Sequence, residues 1–207
     1  MQYNKNSGLF KFHLPLDEND PTIKRILAAA VEQFSLVGIR KSSIPDIASR
    51  AEVSKMTIYR RIGNQQKLIQ AALLSELSQI LLKINESLNK KESVTERIVE
   101  GLTVAYVEIK KHPLWRQLMS TEPGEILQHL TLEAGTYIIF GSKYIQKIID
   151  ESAESITIES ELLAQYTLRL FHSMALSPDP ILEDKDEVFI REYFTDYLTP
   201  FLEAFIE

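Results

Sequence analysis

The stretch from Ser42 to Leu68, SSIPDIASRAEVSKMTIYRRIGNQQKL, constrains this chain more than any other. It divides into a short helix, a tight turn, a second short helix and the start of a longer one. Ser43 is placed to cap the first helix, with Asp46 in the capping-box position. Pro45 falls in the first turn, where a missing N–H is least harmful. Ile44, Ile47, Ala48 and Ala51 share one apolar face at helical spacing. The turn is Ala51-Glu52-Val53-Ser54, and Ser54 can cap the second helix. That helix carries Lys55, Thr57, Tyr59, Arg60 and Arg61, with only Met56, Ile58 and Ile62 as apolar side chains. A helix with so little to bury and so many cationic and hydroxyl groups is built to face something outside the protein. Two short helices joined by a tight turn, the second basic and polar, describe a DNA-binding helix-turn-helix.

The flanks fit that reading. Asp20-Pro21 opens a helix, Asp as cap and Pro at the first position. Ile23, Ile26, Leu27, Ala30, Val31, Phe34 and Val37 follow at helical spacing, and Gly38 ends it. This helix is scaffold for the two short ones. Lys41 and Ser42 stand at the entrance to the second helix, where a phosphate can meet free N–H groups. Gly63-Asn64 marks the next turn, with Asn64 as cap of a helix that runs to about Asn89. At ~1.5 Å per residue, some 25 residues make a rod of roughly 37 Å, able to carry a change between two domains.

Residues 21–70 resemble the N-terminal domain of the tetracycline-repressor-like (TetR) family of bacterial transcription regulators. The resemblance rests on a first helix ending in Phe34 and Gly38, the S-I-x-D-I-A pattern at Ser43–Ala48, V-S-K-x-T-I-Y-R at Val53–Arg60, and Gly63 before a long helix. It covers about a quarter of the chain. Ser42, Ser43, Ser54, Lys55, Met56, Thr57, Tyr59, Arg60, Arg61 and Lys67 are the expected DNA-contact set. The resemblance implies phosphate anchoring by Thr57, Tyr59 and Lys67, with Lys55, Met56 and Arg60 or Arg61 nearer the base edges. Three positions depart from the pattern: Met56 replaces a frequent Gly, Ile62 a frequent Phe, and Gln65 a common Lys whose phosphate contact Lys67 is placed to take over.

Net charge is −6, which at first argues against a polyanionic partner. Its distribution reverses the argument. Residues 20–70 carry nine basic and four acidic side chains, an excess of +5, while residues 1–19 balance, so residues 71–207 carry −11. A basic domain on an acidic body orients the molecule on DNA with the body turned away. Residues 1–19 show no clear period and read as a mobile arm, with Lys5, Lys11 and His13 as the alternative of a groove-reaching segment. At 44% hydrophobic over 207 residues the chain can bury a substantial core. Cysteine is absent, which excludes disulfides and thiolate metal sites and fits a reducing cytoplasm. No stretch approaches the ~20 apolar residues of a membrane span, and the N-terminus lacks the apolar run of a secretory signal.

Beyond residue 90 every segment reads as helix: Val94–Lys111, Leu114–Ser120, Pro123–Leu130, Leu132–Glu151, Ile158–Leu176 and Lys185–Ile206, with Pro200 expected to kink or break the last. The expected fold is all-α: an arm over 1–19, a three-helix helix-turn-helix domain over 20–67, and a helical regulatory and dimerisation domain over 68–207. Phe189, Ile190, Tyr193, Phe194, Tyr197, Leu198, Phe201, Leu202, Phe205 and Ile206 form a stripe wider than one core face needs. The resemblance assigns the excess to a homodimer through the last two helices, a four-helix bundle. It also places an effector pocket among the middle helices. Tyr106, Trp115, Met119, Tyr137, Phe140, Tyr144, Phe171 and His172 are the candidates there, implying a largely apolar small molecule. Catalytic and metal sites and a cofactor are not expected: the four histidines are scattered, and no phosphate loop or nucleophile elbow exists. The reading is a DNA-binding regulator, most readily a repressor released from a palindromic operator by a small effector. The alternative is a DNA-binding dimer switched by a protein partner or by its own concentration.

Overall fold

A computed structural model describes Leu16 and residues 19–88, 91–177 and 179–206. Almost all of the expected arm, 1–19, lies outside these residues. The described chain is all-helical, with ten α-helices and one isolated bridge pair, Ile156 with Ile206. In order the helices are α1 (Pro21–Val37), α2 (Ile44–Arg50), α3 (Lys55–Arg61), α4 (Gln65–Leu88), α5 (Val94–Lys111), α6 (Pro113–Thr121), α7 (Pro123–Leu130), α8 (Gly135–Asp150), α9 (Ser160–Leu176) and α10 (Glu187–Glu203). A single 3-10 turn, Pro180–Leu182, precedes α10.

The chain forms two compact units. One holds the described residues up to Gln79 together with Lys110–Ala134; the other holds Ile80–Ile109 and Gly135–Glu207. Helix α4 is continuous through the division. The division differs from a simple cut after residue 67, because α6 and α7 pack with the N-terminal helices. α6 buries Leu114, Trp115 and Leu118 and lies against α1, which buries Ile23, Ile26, Leu27, Ala30 and Phe34.

In the second unit Tyr106 and Phe171 close on Phe194 of α10, with ring centroids 5.4 and 6.1 Å apart. Helices α8 and α9 approach closely because Gly141 faces Leu168, where a Cβ would sit 2.8 Å from the leucine side chain. Arg191 of α10 grips buried Glu100 of α5 through two hydrogen bonds, 2.9 and 3.2 Å. Burial alone would raise the Glu100 carboxyl, but Arg191 and Lys91 outweigh it and hold it below its ordinary value.

The bounds of α6, α8, α9 and α10 differ from expectation by up to about three residues. α8 begins at Gly135 rather than Leu132, because residues 131–134 form a turn: Glu133 N–H donates to the Gln128 carbonyl, leaving Leu132 87% exposed. Pro200 does not break α10, which continues to Glu203. Lying so near the C-terminus, Pro200 removes one backbone bond of the final turn. Beyond it the chain is tied back, the Thr157 N–H donating to the Phe205 carbonyl at 2.9 Å.

Candidate nucleic-acid interface

Local capping sets each of the three N-terminal helices. The Asp20 carboxylate accepts from Thr22 N–H at 2.7 Å, Ser43 from Asp46 N–H at 3.3 Å, and Ser54 from Thr57 N–H at 3.1 Å. Each cap satisfies an N–H that the helix itself cannot. Glu52 closes the turn between α2 and α3 with φ of 54°, a left-handed conformation rare for a residue with a Cβ. Asn64 caps α4, its side chain accepting from Lys67 N–H at 2.9 Å.

Helix α3 buries only Ile58, with Ile62 just after it. The opposite face carries Lys55, Met56, Tyr59 and Arg60, all exposed; Met56 is 66% and Tyr59 48% accessible. Large side chains left in water on a charged helix gain nothing from the fold. Ser54 and Thr57 stand at its start, hydroxyls 2.9 Å apart. Lys67 is exposed at the start of α4, and Ser43 is half-buried at the start of α2.

Two expected contact residues are placed otherwise. Ser42 is buried, 4% exposed, and its hydroxyl donates to the Gly38 carbonyl at 2.6 Å, so its side chain is not presented to a partner. The reason is the reversal after α1: Gly38, at φ of 84°, folds residues 39–42 back over that carbonyl. Arg61 is exposed but pairs with Asp20 at 2.9 Å, tying the end of α3 to the cap of α1. The Asp20 carboxyl is held below its ordinary value, first by the Thr22 N–H and further by the Arg61 charge.

Other supports were invisible in the motif. Gln65, standing where the pattern favours Lys, donates to the Ser42 carbonyl at 3.1 Å and pins the start of α4 to the entrance of α2. Arg50 pairs with Glu32 and donates to Gln33 at 3.2 Å, fastening α2 to α1. Glu122, between α6 and α7, accepts from Ile39 N–H at 2.7 Å and Arg40 N–H at 3.2 Å. It fits only because residue 38 is Gly: a Cβ there would lie 2.5 Å from the carboxylate.

The expected effector residues divide. Trp115 and Met119 belong to the unit with α1–α3; the other six belong to the second unit. Tyr106 and Phe171 are spent on the Phe194 cluster, Met119 is exposed, and His172 is half-buried on α9. A cavity of about 380 Å³ lies elsewhere in the second unit, and of the eight candidates only Tyr144 lines it.

Residues 26–72 match the family model described as bacterial regulatory proteins, tetR family. Over 53 residues the chain is 43% identical to an uncharacterised HTH-type transcriptional regulator, YvkB, of Bacillus subtilis; the match spans 26% of this chain and 28% of that relative. The whole fold is similar to that of the TetR family repressor AlkX from a Dietzia species (TM-score 0.68, 22% identity, covering 89% of this chain and 97% of that one). It is also similar to the repressor QsdR of R. erythropolis (TM-score 0.63, 16% identity, 87% and 96% covered). The family match covers residues 26–72, under a quarter of the chain, and over the rest the similarity is one of fold. Helix α3 and its exposed face lie within the residues matched by this model. Among the described residues no helix is long and apolar enough to cross a membrane.

Proposed function

We propose that this chain is a homodimeric transcription repressor of the cytoplasm, with two copies of α3 entering successive major grooves of a palindromic operator. The observation that carries this is the α3 surface: a cationic, hydroxyl-rich face with Met56 and Tyr59 left in water. Arg60 and Lys55 are the base-edge readers in this reading; Tyr59, Thr57, Ser54, Ser43 and Lys67 position the phosphates. Arg61 is chiefly a brace for α3, held by Asp20. Half-sites are then about one helical turn apart, ~34–36 Å, or a multiple of it.

Dimerisation through α9 and α10 is supported by a second apolar face. Ile190, Phe194, Leu198 and Leu202 of α10 are buried within the unit, whereas Tyr197 lies outside with Leu162, Tyr166 and Leu170 of α9, each at least 40% exposed. The α9 residues recur every four positions and form one stripe. A small effector bound among the C-terminal helices releases the operator to the extent that it binds the non-fitting conformation more tightly. The test is selection of bound duplexes from a random pool with the purified protein. An inverted repeat with half-sites at this spacing supports the reading; recovery of unrelated sequences contradicts it.

A further inference from the structure

The residues that frame the helix-turn-helix are held from outside it. Two contacts reach them from the ends of α7, both within the unit that contains α1–α3. Glu122 stands at the N-cap position of α7, yet its carboxylate does not cap that helix. It reaches instead to the loop between α1 and α2, accepting from Ile39 N–H at 2.7 Å and from Arg40 N–H at 3.2 Å. An N-cap ordinarily satisfies a donor of its own helix with a short side chain. The longer glutamate forgoes that bond and satisfies two donors 83 and 82 residues away along the chain.

At the other end of α7, Glu133 lies in the turn over residues 131–134. Its Oε1 accepts from Gln66 Nε2 at 3.2 Å, at the start of α4. The same carboxylate accepts from Gln128 Nε2 at 3.1 Å and lies 2.8 Å from Nδ1 of buried His129. Gln128 and then Gln66 hold the Glu133 carboxyl below its ordinary value, so it stays an acceptor. Helices α2 and α3 run between these two anchors: residues 39 and 40 precede them and residue 66 follows them. Helix α3, with Ile58 as its one buried side chain, has little packing of its own to fix its angle. Base contacts need that angle fixed by surrounding structure.

We propose that Glu122 and Glu133 are positioning residues for DNA binding. Gripping the chain on both sides of the helix-turn-helix, they fix the angle at which α3 meets the groove, and they touch no DNA themselves. The inference rests on the operator reading above. Carboxylates beside a basic, DNA-facing domain repel phosphate, so charge alone would make their removal strengthen binding. Positioning predicts the reverse.

The full chain is titrated with the selected operator and with a random duplex of the same length, well below the melting temperature of each variant. Glu122→Asp keeps the charge and shortens the reach. It weakens operator binding at least about fivefold while random-duplex affinity stays within about twofold, because phosphate contacts tolerate a tilted helix and base contacts do not. Glu133→Ala removes a negative charge and still weakens operator binding at least about threefold. Glu125→Gln removes a charge from α7 at neither anchor and leaves operator affinity equal to the parent's or higher. Circular dichroism and melting establish that each variant is folded. Should Glu122→Asp not fold, Glu122→Gln, which keeps an acceptor for one N–H, goes through the same two titrations with the same expected loss. A folded Glu122 variant that keeps the parent's preference for the operator, or that loses both duplexes equally, overturns the inference. So does a Glu133→Ala that binds the operator as tightly as the parent or more tightly. A parent that does not prefer the selected operator overturns the operator reading, and this inference with it.

Discussion

At the scale of single residues, the two arginines that end α3 have different work. Arg60 is exposed, whereas Arg61 reaches back to Asp20 across α1. Arg60→Ala is expected to weaken operator binding by about tenfold or more with an unchanged melting temperature. Arg61→Ala should lower the melting temperature as well, and Asp20→Ala should share that loss without removing a DNA contact; melting curves beside binding isotherms separate the three. Gly38 is the other decisive position. Its positive φ and the adjacent Glu122 carboxylate both exclude a side chain, so Gly38→Ala should cost about 1–3 kcal/mol in urea denaturation. Because part of that cost is the clash, Glu122→Ala in the Gly38→Ala background should cost less than it does alone. The helix-ending role of Gly38 and the caps Asp20, Ser43, Ser54 and Asn64 were legible in the sequence because each acts within a few residues. The partners Arg61 and Glu122, and the burial of Ser42, were not, since they depend on contacts that only the folded chain creates.

At the scale of elements, helical periodicity located α5 and α7 with the bounds observed, because each starts or stops at a local signal such as Pro123 or Pro113. The start of α8 was set instead by the turn over residues 131–134, where Glu133 accepts from Gln66 at 3.2 Å and Gln128 at 3.1 Å. The α9 stripe of Leu162, Tyr166 and Leu170 makes a test of assembly. Tyr166→Glu with Leu170→Glu should convert a dimer to a monomer in sedimentation velocity while helix content stays constant, since neither residue is buried within the unit. A dimer that survives both changes would place the contact elsewhere. Between α5 and α10, the Glu100–Arg191 grip makes stability depend on pH. The folded carboxyl titrates below its ordinary 4.5, so its stabilisation is fully present above that value and is lost as pH falls through the lowered one. Glu100→Gln should therefore flatten the fall in stability between about pH 5 and 3, as followed by thermal melting at each pH.

At the scale of the whole molecule, charge is divided along the chain: residues 20–70 carry an excess of +5 and the remainder after them −11. That division was legible from composition and, with the helix-turn-helix spacing, pointed to DNA despite the acidic total. The compact units were less legible. α6 and α7 lie far along the chain from α1, and the packing of Trp115 and the bond from Glu122 to residues 39 and 40 bring them together. The effector residues were the least legible, because an aromatic side chain that fills a core and one that lines a cavity have the same spacing; Tyr106 and Phe171 proved to be core. The central claim, that the outward face of α3 enters duplex DNA, is tested most directly by binding isotherms on the selected operator over a range of salt, for the parent protein and for Tyr59→Ala/Arg60→Ala. The account predicts that parent affinity falls steeply with salt, at about 0.9 log unit per log unit for each phosphate contact. It further predicts that the double variant binds at least about tenfold more weakly and remains a dimer. A flat salt response, or a folded double variant that binds as tightly as the parent, would contradict it.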